Sequence, residues 1–194
     1  MSELGVFLRL GFHHIVSPSA LDHLLFLLVL VAPYSLRDWR HLLTVTSAFT
    51  LGHSLTLALV VTATVRLPTT LVEFLIPLTI VATGLANLQR GRTPPGGWAG
   101  PVLAGSFGLI HGAGFASFLR EMFTGSVVVP LFAFNLGIEL GQVMVLGVAL
   151  LLLAGIDAAM RVRAPASGSW PRAALTSLAA TAWAAVLAVQ RVPW

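Results

Sequence analysis

Five stretches of the chain, about 40–64, 68–89, 98–120, 127–157 and 172–190, are apolar over most of their length. A helix needs about 20 such residues to cross the hydrocarbon of a bilayer. No water is available there for backbone N–H and C=O groups, so these stretches must close their hydrogen bonds internally, as helices. The balance of residue types agrees: 57% are hydrophobic, only 9% are charged, and the mean hydropathy is +0.91. A soluble domain carries about a quarter charged residues. The expected fold class is therefore all-α, a polytopic transmembrane helix bundle forming one integral membrane domain over residues 1–194, with the lipid bilayer as its surroundings.

A sixth span is expected over about 18–33. It is short, and crosses the bilayer if part of the preceding segment extends it or if it tilts. Pro18 suits a helix start with Ser17 as N-cap, and Pro33-Tyr34 ends the run. Met1–Ile15 reads as a retained, half-buried lead-in helix rather than a signal peptide. Glu3 precedes Arg9, His13 and His14 interrupt the apolar run, and no small-residue cleavage site stands out. With Ser2–Ser17 on one side, Arg9, Arg66, Arg120 and Arg191 share that side. Arg37, Arg40, Arg90, Arg92, Arg161, Arg163 and Arg172 fall on the other. The positive-inside rule makes the second set cytoplasmic, with both termini outside a cell inner (plasma) membrane.

All eleven basic residues are arginines, scattered singly or in pairs. No basic face results, so nucleic acid is not an expected partner. There is no cysteine, hence no disulfide, thiolate site or cysteine nucleophile. A metal ion must use His, carboxylate, amide or backbone ligands, a donor set that suits Zn, Ni, Co, Cu(II) or Fe better than Cu(I).

Polar residues inside the spans are the informative ones, because each is costly in hydrocarbon. Counting along each span, Asp22, His23, His53, Glu73, His111, Asn135 and Glu139 all fall between the outer face and the midplane, whichever face is outside. Asn135, Glu139 and Gln142 form one stripe at i, i+4 and i+7. His53 and Ser54 continue a hydroxyl-rich face with Ser47 and Thr50. Around His111 lie Gly105, Gly108, Gly112 and Gly114, which let helices approach closely. Each has a bland explanation when taken alone. Asn135 and Gln142 serve as interhelical hydrogen-bond glue, Glu73 as a snorkelling surface residue, and His53 as a core histidine. Three histidines, an aspartate and glutamates at one depth read better as a joint site. Asp22 and His23 are adjacent and cannot both face it from a regular helix. His13 and His14, on the lead-in, suit capture of an arriving ion.

The blocks Gly11-Phe12-His13-His14-Ile15 with Asp22-His23-Leu24-Leu25-Phe26, Phe49-Thr50-Leu51-Gly52-His53-Ser54-Leu55-Thr56, Gly108-Leu109-Ile110-His111-Gly112-Ala113-Gly114-Phe115-Ala116 and Phe134-Asn135-Leu136-Gly137-Ile138-Glu139-Leu140-Gly141-Gln142 resemble those of the HupE/UreJ membrane proteins. That family is linked to hydrogenase and urease accessory functions, and its members are regarded as nickel or cobalt permeases. The resemblance implies His14, Asp22, His23, His53, His111 and Glu139 as metal ligands. His13, Ser54, Glu73, Asn135 and Gln142 are expected to orient those ligands or to line the ion's path.

The expected function is a permease for a divalent transition metal ion (Ni, Co or Zn, as substrate or bound ion), and not an enzyme. Two alternatives stay open. One is a membrane accessory or scaffold protein with a structural polar core. The other is an intramembrane zinc-dependent hydrolase, with Ser54 beside the metal and Glu139 or Glu73 as general base. Glycine-rich spans permit a homo-oligomer without requiring one.

Overall fold

A computed structural model describes residues 2–18, 20–90, 96–122, 126–159 and 171–193. The stretches 91–97 and 161–170, with their Gly, Pro and Ser, read from sequence as surface linkers; 161–170 and residues 91–95 lie outside the described residues. Among the described residues there are eight α-helices and no strand: α1 (Glu3–Val16), α2 (Leu21–Val31), α3 (Trp39–Val61), α4 (Thr69–Arg90), α5 (Ala99–Gly114), α6 (Ala116–Met122), α7 (Val128–Ala159) and α8 (Pro171–Gln190). A short 3-10 turn, Leu36–Asp38, leads into α3. The Asp38 carboxylate fixes that entry by accepting from both the amide and the hydroxyl of Ser35, at 2.8 and 2.6 Å.

The α3, α4, α7 and α8 segments are each long and apolar enough to cross a membrane; α1 and α2 make a fifth span if taken together, bent by 65°. The count expected from sequence was six. It falls because the stretch 98–120 is not one helix. Its helix ends at Gly114, Phe115 is the break (φ −106°, ψ −5°), and α6 begins at Ala116. Glycine costs about 1 kcal/mol of helix propensity against alanine, and this stretch has four between Gly105 and Gly114.

α2 has 11 residues, about 16 Å at the helical rise, or roughly half of a bilayer core. α1 supplies the rest. Its Gly11 seats against the backbone of Phe134 on α7, while Gly137 seats against Leu8 and Gly141 against Ile15, so α1 and α7 run in the same direction in backbone contact. One face of α1, Phe7, Gly11 and Ile15, is buried, and the rest is half-buried or exposed. The join is not the helix start expected at Pro18. Ser17 is extended (φ −67°, ψ 137°) and its amide closes onto His13 O as the end of α1. A residue before proline is driven out of the helical region, and the helix resumes at Leu21 with Ala20 as N-cap.

Two further helix pairs make similar close contacts. A Cβ at Gly52, Gly108 or Gly112 would overlap the carbonyl oxygen of Gly105, Phe49 or His53, so α3 and α5 touch backbone to backbone. Gly84 of α4 likewise receives Thr181 of α8. Small residues permit such approach, which is how helices associate when lipid removes the hydrophobic drive. α2 packs against α4, α7 and α8, and His23, Leu25, Phe26, Leu27 and Val29 through Val31 are buried on it. Pro33 has no N–H to offer the carbonyl of Val29; Asn87 Nδ2 donates to that oxygen at 2.7 Å instead. Arg172 ties the same end together, donating to Tyr34 O at 3.1 Å and pairing with Asp157 at 3.3 Å. Arg161, which the i, i+4 spacing in the sequence makes the expected partner of Asp157, lies outside the described residues. The outward surface carries Leu51, Phe132, Leu151 and Val189, each more than half exposed, as a lipid-facing surface requires.

Candidate metal centre

The break between α1 and α2 places two histidines side by side. His14 is two residues before the end of α1 and His23 is in the first turn of α2; their ring centroids are 4.6 Å apart. His53 enters from α3, with centroids 6.2 Å from His14 and 6.1 Å from His23. The α3–α5 seam fixes its height, since Gly112 rests on the His53 backbone. Each of the three offers a ligand atom, and these atoms lie within 4.8 Å of one another. His111, from α5, completes the cluster with its ring 5.4 Å from that of His23. His23, His53 and His111 are buried and His14 nearly so.

Among the described residues, His14 Nε2, His23 Nε2, both ring nitrogens of His53 and His111 Nδ1 are buried with no hydrogen-bond partner. Leaving a buried polar atom unsatisfied costs about 1–3 kcal/mol, and native structures rarely concentrate such atoms without a ligand to meet them. The tautomer of His111 follows from its neighbour. The Thr79 hydroxyl donates its single proton to Ile76 O at 2.7 Å and is 2.9 Å from His111 Nε2. With that proton on Ile76 O, the oxygen accepts from Nε2–H and the lone pair lies on Nδ1.

A cavity of about 560 Å³ leads to the cluster. His14, His23 and His111 line it, and His13, Asp22, Glu73 and Arg191 add further polar groups. Ser17 and Ala20, from the break between α1 and α2, also face it. Non-helical backbone at membrane depth is tolerated where it lines such a cavity.

The carboxylates expected as ligands sit elsewhere. The group of mutually close ligand atoms contains neither Asp22 nor Glu139. Asp22 turns its Oδ2 to Arg191 Nη1 at 2.9 Å, which resolves the adjacency of Asp22 and His23 by giving each a different partner. Glu139 accepts from Ser47 Oγ at 2.7 Å. Gln142 accepts from Thr50 at 2.8 Å, and Ser54 donates to Thr50 O at 2.7 Å. Asn135 Oδ1 is buried without a partner. Sequence reasoning missed Thr79, Phe115 and Arg191. The Phe115 ring lies 4.2 Å from His14 and stacks on Phe134. The only available signal for Thr79 was a hydroxyl three residues after Ile76, on the face of α4 that meets α5.

A bundle with lipid-facing apolar surfaces, a broken span and a buried histidine cluster below a polar cavity defines a polytopic helical membrane protein. The model of the family described as HupE / UreJ protein matches residues 1–191, and the chain belongs to that family. No curated protein and no solved structure matches it.

Proposed function

We propose that the protein is a permease of the inner (plasma) membrane for a divalent transition metal ion, with nickel or cobalt as substrate. The observation that carries this reading is the cluster of His14, His23 and His53, drawn from three helices, with unpartnered ring nitrogens and with His14 and His23 lining a cavity. Imidazole suits borderline divalent ions. Ligands without carboxylate or thiolate hold such an ion less firmly, and conduction requires that a bound ion also leave. His111 adds a fourth ring whose lone pair Thr79 orients. Asp22 and Glu73 set the field at the entrance, and His13 meets the arriving ion. The arginine distribution supports a cavity that opens to the outside, with both termini there. Membership of a family linked to nickel and cobalt uptake or to accessory roles supports the choice of metal.

The hydrolase reading finds less support. The histidine group has no carboxylate member to act as base, and the Ser54 hydroxyl is committed to a backbone carbonyl. The test is accumulation of radioactive nickel and cobalt by cells expressing the wild type or His53→Ala at matched membrane levels. Accumulation that depends on His53 supports the permease. Equal accumulation, at the level of cells lacking the protein, contradicts it.

A further inference from the structure

The cavity beside the histidines is larger than a bare ion needs. A water molecule's share of the liquid is about 30 Å³, so a metal ion with six waters takes roughly 200 Å³, against about 560 Å³ for the cavity. Volumes of this order are those of small-molecule sites. Part of the lining is apolar, with Leu10, Ile76, Phe115 and Phe118, surfaces that suit a carbon skeleton rather than a hydrated ion. The donor set is also short of charge. His14, His23 and His53 offer neutral ring nitrogens, and His111 adds no charge. The charged side chains lining the cavity are Asp22, Glu73 and Arg191. Asp22 and Arg191 pair at 2.9 Å, which leaves Glu73 as one negative charge against the two positive charges of the ion. Charge left uncompensated at membrane depth is costly, so the occupied cavity lacks one negative charge. The Asp22–Arg191 pair has bonding capacity to spare. Asp22 Oδ1 is buried without a hydrogen-bond partner. A guanidinium has five N–H donors, and among the described residues this one makes a single hydrogen bond, to Asp22 Oδ2. The pair therefore presents an acceptor and several donors side by side.

We propose that the cavity receives the divalent ion as its complex with an α-amino carboxylate, a free amino acid that chelates the metal through its amine nitrogen and one carboxylate oxygen. This rests on the permease reading for the histidines as metal ligands. On chelation the ammonium group of the amino acid gives one proton to the solvent, and the bound ligand carries the one negative charge that the cavity lacks. The coordinated nitrogen keeps two N–H groups, and Asp22 Oδ1 accepts from one of them. The carboxylate oxygen that is not on the metal accepts from Arg191, a charge-assisted bond. His14 and His23 line the cavity and His53 does not, so the histidines replace water on one side of the ion while the amino acid keeps the cavity side. A hydrated dication alone meets a guanidinium that repels it, whereas the complex offers that guanidinium an acceptor.

Purified protein is incubated with tritiated glycine, with and without nickel, and the retained glycine is counted. Retention that requires nickel, approaches one per chain and is absent from His23→Ala is the expected result. Arg191→Gln should lose about tenfold or more in glycine affinity while binding bare nickel at least as tightly as the wild type, a split that misfolding does not produce. N,N-dimethylglycine chelates with the same charge but has no N–H. After correction for its own affinity for nickel, it should compete about tenfold more weakly than glycine. Nickel binding without glycine retention, retention unchanged by Arg191→Gln, or equal competition by N,N-dimethylglycine overturns the proposal. Absence of nickel binding with and without glycine overturns both this proposal and the permease reading. Nickel uptake into vesicles is measured separately, with and without glycine: no uptake in either case sinks the permease reading, while the retained glycine still decides what the cavity holds.

Discussion

Arg191 holds Asp22: its Nη1 reaches the carboxylate Oδ2 at 2.9 Å, joining the residue after α8 to the first turn of α2 at the wall of the outer cavity. The sequence neighbour of a cluster histidine is therefore fixed by a residue 169 positions away. The pair is partly exposed, 31% and 21% for the two side chains, so solvent screening limits its worth to about 1 kcal/mol. Its larger effect is on the field. A guanidinium beside the entrance opposes an approaching dication, and the carboxylate it covers would attract one.

Arg191→Gln is accordingly expected to tighten apparent metal affinity several-fold at low ionic strength, with the gain shrinking as salt is raised through the screening range. Titration of the purified protein with nickel at two salt concentrations measures this. Asp22→Asn should shift affinity the opposite way.

Thr79→Val removes a hydroxyl and keeps the shape. It frees His111 Nε2 from its acceptor, so Nδ1 no longer carries an assured lone pair. Loss of such an orienting partner typically costs 10–100-fold in metal affinity. We expect that loss together with a fall in stability of about 1–3 kcal/mol from the unpaired Nε2, and recovery of both in Thr79→Ser. Calorimetric titration alongside a melting curve separates the two effects.

Gly108→Ala would push a methyl group into the Phe49 carbonyl and part α3 from α5. Overpacking of this kind costs about 1–3 kcal/mol, and here it also displaces His53. Both the melting temperature and metal binding should fall. Gly147→Ala, on α7, meets nothing within 4 Å and is expected to be neutral or slightly stabilising, by up to about 1 kcal/mol. Melting curves in one detergent compare the pair directly.

Glu139→Gln retains an acceptor for the Ser47 hydroxyl. Because Glu139 is outside the histidine group, binding affinity should stay within about twofold of wild type, whereas His23→Ala removes a ligand and should weaken it by at least a factor of ten. Equal losses would return Glu139 to the ligand set.

The membrane bundle was legible because hydrocarbon leaves the backbone few choices, and the shared depth of His23, His53 and His111, whose rings meet, because depth along a span can be counted. Read from sequence, His14 falls on a lead-in. Only the extended turn at Ser17, forced by Pro18, folds that histidine back beside His23. The carboxylates stand apart from the histidine group for a related reason. Depth says nothing of rotation, and neighbours on a helix point about 100° apart, so Asp22 and His23 serve different partners. The Arg191 contact spans nearly the whole chain and has no local signature. The Thr79–His111 bond depends on how α4 meets α5, which no periodicity encodes.

Carriage of a metal ion across the membrane by the histidine cluster underlies these expectations. It is tested most directly in sealed proteoliposomes holding a nickel-sensitive dye, with wild type, His23→Ala and His53→Ala reconstituted at equal density and checked for folding. Protein-dependent, saturable entry of nickel or cobalt in the wild type, lost in both variants, is the expected result. Entry at the same rate in all three, or none above empty vesicles in the wild type, would contradict it.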